Sequence, residues 1–387
     1  MKKKVKIALG YQVELMSNSL FYKLTKTFVN DGYEVITVGI KRIKDKSAST
    51  LSQISVLELS NTKYIEIHAR MHYASGVKNF VGILKYQLST IQELLKKANK
   101  ADTYYAIDLL MGVPFFIISL LKRKPFIYHI ADKFIDSYKV PKFLKPIFSL
   151  IDLLLISKAK LIIVPHEDRI DKVLRKYKDK IIVVYNTPED INGTYDQEAD
   201  LSEKSRNKRL KIAYFGVLTE DRFIKQLCNV VSQDTRLELE IGGYGPLEDF
   251  VRSESYKCDR IYFHGKVPYD LVLQIQKKSD LLIAMYDPSI KNNRKSSPNK
   301  LYEAMMLGKP IIVAKGMGID DFVSKAGIGF VSEYSVENFI KTIEKILQSD
   351  KKEIQICGLN GRKLYEEKYR WDLMSKKIIQ AIEKLFD

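Results

Sequence analysis

The stretch SSPNKLYEAMMLGKP, Ser296 to Pro310, contains a short helix together with both of its ends. Ser297 is expected to cap it, and Pro298 to take the first helical position, where a missing amide costs nothing. Gly308 suits the residue just past the end, and Pro310 stops any continuation. The helix spans 298–307, between the apolar runs DLLIAMY (280–286) and PIIVAKG (310–316). At about 100° per residue, Leu301, Ala304 and Met305 share the face expected to pack on a sheet. Glu303 lies roughly 200° away from Leu301. A strand, a short helix and a second strand in this order form one repeat of a parallel sheet.

The same alternation extends outward in both directions. Upstream lie RLKIAYFG (209–216), LELEIGG (237–243) and RIYFHG (260–265), and downstream the chain from Ser335 to Leu385 reads as helix in two or more pieces. An earlier series begins with VKIALG (5–10), a helical pattern from Asn18 to Asn30, Gly32 as a stop, and YEVITVGI (33–40). It continues through TYYAI (103–107), PFIYHI (125–130), KLIIVP (160–165) and KIIVVYN (180–186). Continuous apolar strands separated by helices imply a parallel sheet covered on both faces. Between the two series, TPEDINGTYDQEADLSEKSRNKR (187–209) is polar and aperiodic, a linker or exposed loop. The expected architecture is α/β, with two doubly wound, Rossmann-like domains facing across a cleft. The first covers residues 1–190 and the second 191–371, and a last helix, about 372–387, crosses back. Ligands of such sheets bind at the carboxyl ends of the strands.

Composition narrows the class. The chain has 387 residues, 45% of them apolar, which suits two domains. No apolar run reaches the ~18–20 residues that span a bilayer, since MGVPFFIISLL is short and IFSLIDLLLIS carries Asp152. The start, MKKKVKIALGYQVE, reads as a first strand rather than a signal peptide, so a cytoplasmic protein is expected. Cys228, Cys258 and Cys357 lie far apart, which points to buried thiols rather than to a disulfide or zinc framework. His68 and His72 share an i, i+4 spacing that is weak evidence for a metal. The net charge of +17 is uneven: residues 1–150 hold 24 Lys and Arg against 11 Asp and Glu. That field suggests an anionic partner for the first half, either nucleic acid or an anionic leaflet, or simply a solvated surface.

The start of the quoted helix offers unpaired amides, a partial positive charge and Lys300, a combination that favours a phosphate. Glu303, one turn in, can accept two hydrogen bonds from a vicinal diol such as a ribose. Phosphate and ribose side by side indicate a nucleotide, although an ordinary strand–helix unit with a solvated Glu carries the same residues. YFGVLTEDRFIK (214–225) adds a glycine after a strand and Arg222 for a second phosphate contact. IGGYGPLEDFV (241–251) and HGKVPYD (264–270) place further glycines at strand ends, which is also plain turn chemistry.

As an ordered set, FG-x-L…R, GGYGPLE, F-x-G-x-V, SD and PNKLYEAMMLGKP resemble the second domain of a retaining GT-B glycosyltransferase, similar to glycosyltransferase family four of capsule, exopolysaccharide or lipopolysaccharide type. YRWDL (369–373), IYHIADKF (127–134) and VVYNTPED (183–190) extend the likeness along the chain. The resemblance implies a nucleotide-sugar donor, UDP-sugar favoured and GDP- or dTDP-sugar open, held mainly by the second domain without a metal. No Asp-x-Asp occurs in the sequence. It implies that Glu303 binds the ribose, that Arg222 and Lys300 bind the diphosphate, and that Gly265, Lys266 and Val267 lie against the base. Gly216, Lys295, Ser297, Asn299 and Leu301 complete the donor side. Gly10, Tyr11, Asp108 and Asp132 form the acceptor side, with Asp132, Arg222 and Lys300 as catalytic groups.

There are departures from the family pattern. Lys295 stands where the family has its first Glu, and beside Arg294 it would suit a carboxylate on the sugar, as in a uronic acid, or the diphosphate. Val217 replaces an Arg, and Ala131 the cleft histidine, leaving Asp132 to orient sugar or acceptor. The implied reaction moves a hexosyl-type sugar to a saccharide acceptor, lipid-linked, with retention, in cell-surface glycan synthesis at the inner face of the membrane. MKKKVK, KRIKDK (41–46) and the basic, apolar run 140–160 are the expected membrane-facing segments. A GT-B-shaped nucleotide-sugar epimerase or phosphorylase, and a basic nucleic-acid-binding protein, are the competing readings. No zinc-finger, helix-turn-helix or RNP pattern supports the last.

Overall fold

The computed structural model describes residues 5–13, 15, 18–42, 62–69, 80–137, 140–191 and 209–387. The leading lysines, most of KRIKDK, His72 and residues 192–208 of the polar stretch lie outside them. The chain forms two compact units: Met1–Tyr185 with Met374–Asp387, and Asn186–Leu373.

In the first unit seven parallel strands form one sheet. They are β1 (Lys6–Gly10), β2 (Glu34–Arg42), β3 (Thr62–Ala69), β4 (Thr103–Ile107), β5 (Phe126–His129), β6 (Leu161–Val164) and β7 (Ile181–Val183). Their order is β3-β2-β1-β4-β5-β6-β7. The order reverses between β1 and β4, where Gly10 is in register with Ala106. All five residues of β4, TYYAI, are buried, because helices cover both faces of the sheet and leave no solvated side to alternate toward. The first helix, Ser19–Asn30, is capped by Asn18, whose side chain accepts from the Phe21 amide at 3.0 Å.

The second unit repeats the plan with β8 (Leu210–Val217), β9 (Leu237–Tyr244), β10 (Ile261–Phe263), β11 (Leu281–Ala284), β12 (Ile311–Ala314) and β13 (Gly329–Ser332). Their order is β10-β9-β8-β11-β12-β13, all parallel. The reversal falls between β8 and β11.

The inner strands are those that the apolar runs mark. Two edge strands are not visible in that way. β3, TKYIEIHA, is interrupted by Lys63 and Glu66, and β13, GFVS, is only four residues long. His68 lies in β3, and His72, with which it shares the i, i+4 spacing, lies outside the described residues. No described helix is long and apolar enough to cross a membrane.

Candidate functional site

At the reversal point of the second unit, the chain leaves β8 through a tight turn, Glu220–Arg222, and leaves β11 through Met285 and Tyr286. A second tight turn, Asn293–Lys295, leads into the helix Asn299–Leu307. The end of that helix is as expected, with Gly308 left-handed at φ 64°. Its start is one residue later than expected. Pro298, extended at φ −67° and ψ 139°, is the cap, and no side chain caps the helix. The Ser297 hydroxyl lies 2.6 Å from the Tyr302 hydroxyl instead. A helix begun this way leaves its first-turn amides without carbonyl partners from the turn before. Asn299 Oδ1 accepts from Asn186 Nδ2 at 3.0 Å, and the Leu301 amide donates to the Pro298 carbonyl, its side chain lying in the core.

The helix is also not one-sided. Every residue from Lys300 to Leu307 is buried, because Tyr269–Lys277 and Lys351–Leu364 pack on it as well as the sheet. Glu303 is therefore 5% exposed rather than solvated. Its Oε1 accepts from the Tyr269 hydroxyl and its Oε2 from Gln276 Nε2, each at 3.0 Å. Among the described residues no cation pairs with it.

Lys300 is 7% exposed. Its Nζ lies 4.6 Å from the centre of the Tyr214 ring and 3.5 Å from the Tyr286 hydroxyl. No carboxylate among the described residues reaches it. Gly216, at φ 154°, makes room for this ammonium: a Cβ there would fall 2.6 Å from Nζ. Arg222 stacks on the face of the same Tyr286, its guanidinium carbon 3.6 Å from the ring centre. Nη1 of Arg222 donates to Asn293 Oδ1 at 3.3 Å. Burial works to raise the Asp221 carboxyl, but hydrogen bonds from Asn293 and Thr219 and the Arg222 charge outweigh it and hold Asp221 below its usual range. Phe223 fixes this arrangement from behind. It is left-handed at φ 61°, and its buried ring packs on Tyr334 and Phe339.

Two cations thus share one tyrosine. Tyr286 is not among the residues singled out from the sequence, although it ends the run DLLIAMY at the carboxyl end of a strand. The other sequence-selected residues of this unit follow the ends of β10 and β11. Gly265, at φ 62°, accepts from the Gly243 amide at 2.7 Å. Lys266 is exposed, 5.3 Å from the Tyr244 ring, and Val267 is half-buried. Lys295 is exposed, whereas the Arg294 guanidinium is turned to the Pro288 and Ser289 carbonyls of its own loop. The two do not form a paired cationic clamp.

In the first unit a separate cluster gathers at the reversal point between β1 and β4. Gly10 packs so closely that a Cβ would lie 2.3 Å from the Phe115 ring. Asp108 follows β4 at φ 63° and ψ 168°, a backbone region nearly reserved for glycine. Its carboxyl accepts from the amides of Asp132, at 2.9 Å, and Ala131, and from the Tyr11 hydroxyl. Burial, then the Asp132 charge, push it up to about 8 against those hydrogen bonds. Asp132 is exposed and lies 3.3 Å from Arg169 Nη2. His129, at the end of β5, is buried beside the Tyr105 hydroxyl at 2.8 Å, and burial pushes it down to about 3, so it is neutral. Arg169 follows the end of β6, and only its place after a strand end hints at it.

Against solved structures, the chain is similar to HepE of Anabaena in complex with UDP and glucose, with a TM-score of 0.70 and 15% identity over 98% of this chain and 100% of that one. It is also similar to a UDP-N-acetylglucosamine 2-epimerase, with a TM-score of 0.57 and 16% identity over 95% and 98%. At these identities the likeness is one of fold, and the fold is GT-B. Among curated proteins it is similar to an uncharacterized glycosyltransferase of Methanocaldococcus jannaschii, 27% identical over 49% of this chain and 48% of that protein. The match spans about half of that relative's length. Residues 196–364, which hold every member of the Lys300 and Arg222 group, match the model of the family of glycosyl transferases group 1.

Proposed function

We propose that the chain is a glycosyltransferase that moves a hexosyl-type sugar from a nucleotide diphosphate sugar, UDP-linked, to a lipid-linked saccharide acceptor, with retention. The observation that carries this reading is the pair Lys300 and Arg222. They are two cations on one tyrosine, at an uncapped helix start, inside the matched domain. A buried ammonium without a carboxylate is costly unless an anion joins it. A diphosphate supplies that anion and gains negative charge as the sugar leaves, so cations already in place lower the barrier. Glu303, with two of its acceptor positions filled by Tyr269 and Gln276, takes the ribose hydroxyls at the others. The sugar–phosphate C–O bond breaks while the acceptor oxygen bonds to the same carbon on the same face. The acceptor's proton passes to the departing phosphate oxygen. Asp108 and Asp132 belong to the acceptor side, and the protein works at the inner face of the membrane in surface glycan synthesis.

A thermal-shift series with UDP, GDP and dTDP tests the donor. A nucleotide at 100 times its Kd adds ~2.7 kcal/mol of stability. Lys300→Ala and Arg222→Ala are each expected to cut acceptor-dependent release of nucleotide about 10²–10³-fold. Normal release in both variants overturns the site. Sugar interconversion with no acceptor favours the epimerase reading.

A further inference from the structure

Three helices of the first unit lie side by side: Phe80–Lys97 against Leu109–Lys122, and Leu109–Lys122 against Lys145–Lys158. Their inner sides feed the core through Tyr86, Phe115, Ile118 and Leu155. Their outer sides are also apolar. In Lys145–Lys158, Ile147, Leu150 and Leu154 follow i, i+3, i+7 and form one stripe, opposite the half-buried Phe148 and the buried Leu155. Leu150 is 67% exposed, and Phe143, just before the helix, is 73% exposed. Leu120 and Leu121 of the neighbouring helix are exposed as well, with Leu121 at 64%. Helices that face water on one side normally place charge there, and a patch of this kind marks a contact surface.

The exposed charge of Leu109–Lys122 and Lys145–Lys158 has one sign. Leu109–Lys122 contains no acidic residue. Lys145–Lys158 contains only Asp152, which is turned inward to accept from the Tyr128 hydroxyl at 2.7 Å. Lys122, Arg123, Lys142, Lys145 and Lys158 are exposed around the apolar stripes, and none forms an ion pair with a described residue. A second copy of the chain fits poorly, because a two-fold contact would set these cations against their own copies. An anionic bilayer satisfies both features at once. The apolar stripes enter the acyl boundary, and the lysines, whose stems reach outward, meet the headgroups.

We propose that this face, centred on Leu150, seats the first unit on an anionic membrane surface with the helix Lys145–Lys158 lying in the interface. It gives the lipid-linked acceptor of the proposed function a surface to be drawn from. Flotation needs no nucleotide sugar, however, so either reading can fail without the other.

The test is flotation of the full chain with vesicles of phosphatidylcholine alone and of phosphatidylcholine mixed with phosphatidylglycerol, at low and high salt. The chain is expected to float with the mixed vesicles and to be released by salt. Leu150→Glu with Leu154→Glu is expected to abolish flotation. Each of Lys142→Gln, Lys145→Gln and Lys158→Gln is expected to weaken it about fivefold, from ~1 kcal/mol per basic residue near an anionic surface. All these side chains are exposed, and unchanged melting of the variants shows that the fold is intact. Equal flotation of wild type and variants overturns the proposal, as does no flotation at all. So does a dimer in sedimentation that the Leu150→Glu variant splits while vesicles leave the wild type unbound.

Discussion

Gly216 shows how much one hydrogen atom decides. It keeps the end of β8 open so that the Lys300 ammonium can lie against the backbone, 2.6 Å from where a methyl group would be. Gly216→Ala is therefore expected to push Lys300 aside and weaken UDP binding at least tenfold in calorimetric titration, while leaving the far-ultraviolet dichroism unchanged. Asp108 makes a second residue-scale prediction. Its carboxyl is raised to about 8 in the folded chain, while an unfolded aspartate titrates near ~3.9. Below that value both states hold the proton. Between about 4 and about 8 the unfolded chain gives it up and the folded chain keeps it, so this residue costs stability as pH rises, and above about 8 the cost is constant. Asp108→Asn keeps an acceptor for the Asp132 amide and removes the titration. It is expected to be the more stable protein at pH 7, by a few kcal/mol at most, since each tenfold change in proton affinity is worth ~1.36 kcal/mol. Its fall in Tm between pH 4 and 8 is expected to be shallower. Equal pH profiles for the two proteins would contradict this. In the sequence, only family likeness singles out Asp108. Its strained backbone is a local conformation imposed from outside, and its donors come from the ends of two other strands, so no local pattern records them.

At the scale of elements, the helix Asn299–Leu307 is the instructive case. Its length and its glycine stop are local properties and could be read from Gly308 and Pro310. Its burial is not local. The helix Lys351–Leu364 packs so closely on it that a Cβ on Gly358 would sit 2.0 Å from the Gly308 carbonyl oxygen. Periodicity within the helix has no means of reporting a neighbour about fifty residues away. The same outer helix carries Arg362, 4% exposed, whose guanidinium grips Asp190 through two bonds of 3.0 and 2.7 Å and also reaches the Met306 carbonyl at 2.7 Å. This holds the first residues of the second unit onto its body, helped by Tyr365 donating to the Pro188 carbonyl at 3.0 Å. Arg362→Ala removes two bonds from the half-buried Asp190 carboxylate and one from the Met306 carbonyl, and is expected to cost about 3–5 kcal/mol. Urea melts followed by dichroism measure it, and a loss below about 1 kcal/mol would show that the pair contributes little.

For the whole molecule, the chain enters the second unit at Asn186 and returns to the first at Met374. Ile378 and Ile382 of the returning helix are fully buried there, and Glu383 near its end helps, after burial, to raise Asp31 and Tyr33. Truncation after Leu373 exposes the surface these isoleucines cover, at about 1.5–3 kcal/mol each. Scanning calorimetry is expected to show the transition of the first unit lowered or lost and that of the second retained, and two unchanged transitions would refute it. The alternation of apolar runs with helical stretches determined both parallel sheets, because burial on two faces leaves a mark on every central strand. The turn chemistry of Gly308 and the order of glycine-rich strand ends pointed to a donor site for the same local reason. Only the tertiary structure decided that Tyr286 holds Arg222 and Lys300 together, that Glu303 is buried between Tyr269 and Gln276, and that the second apolar face of Lys145–Lys158 is left uncovered. Contacts between residues distant in sequence, and the lack of them, are set by how elements pack, and packing has no period along the chain.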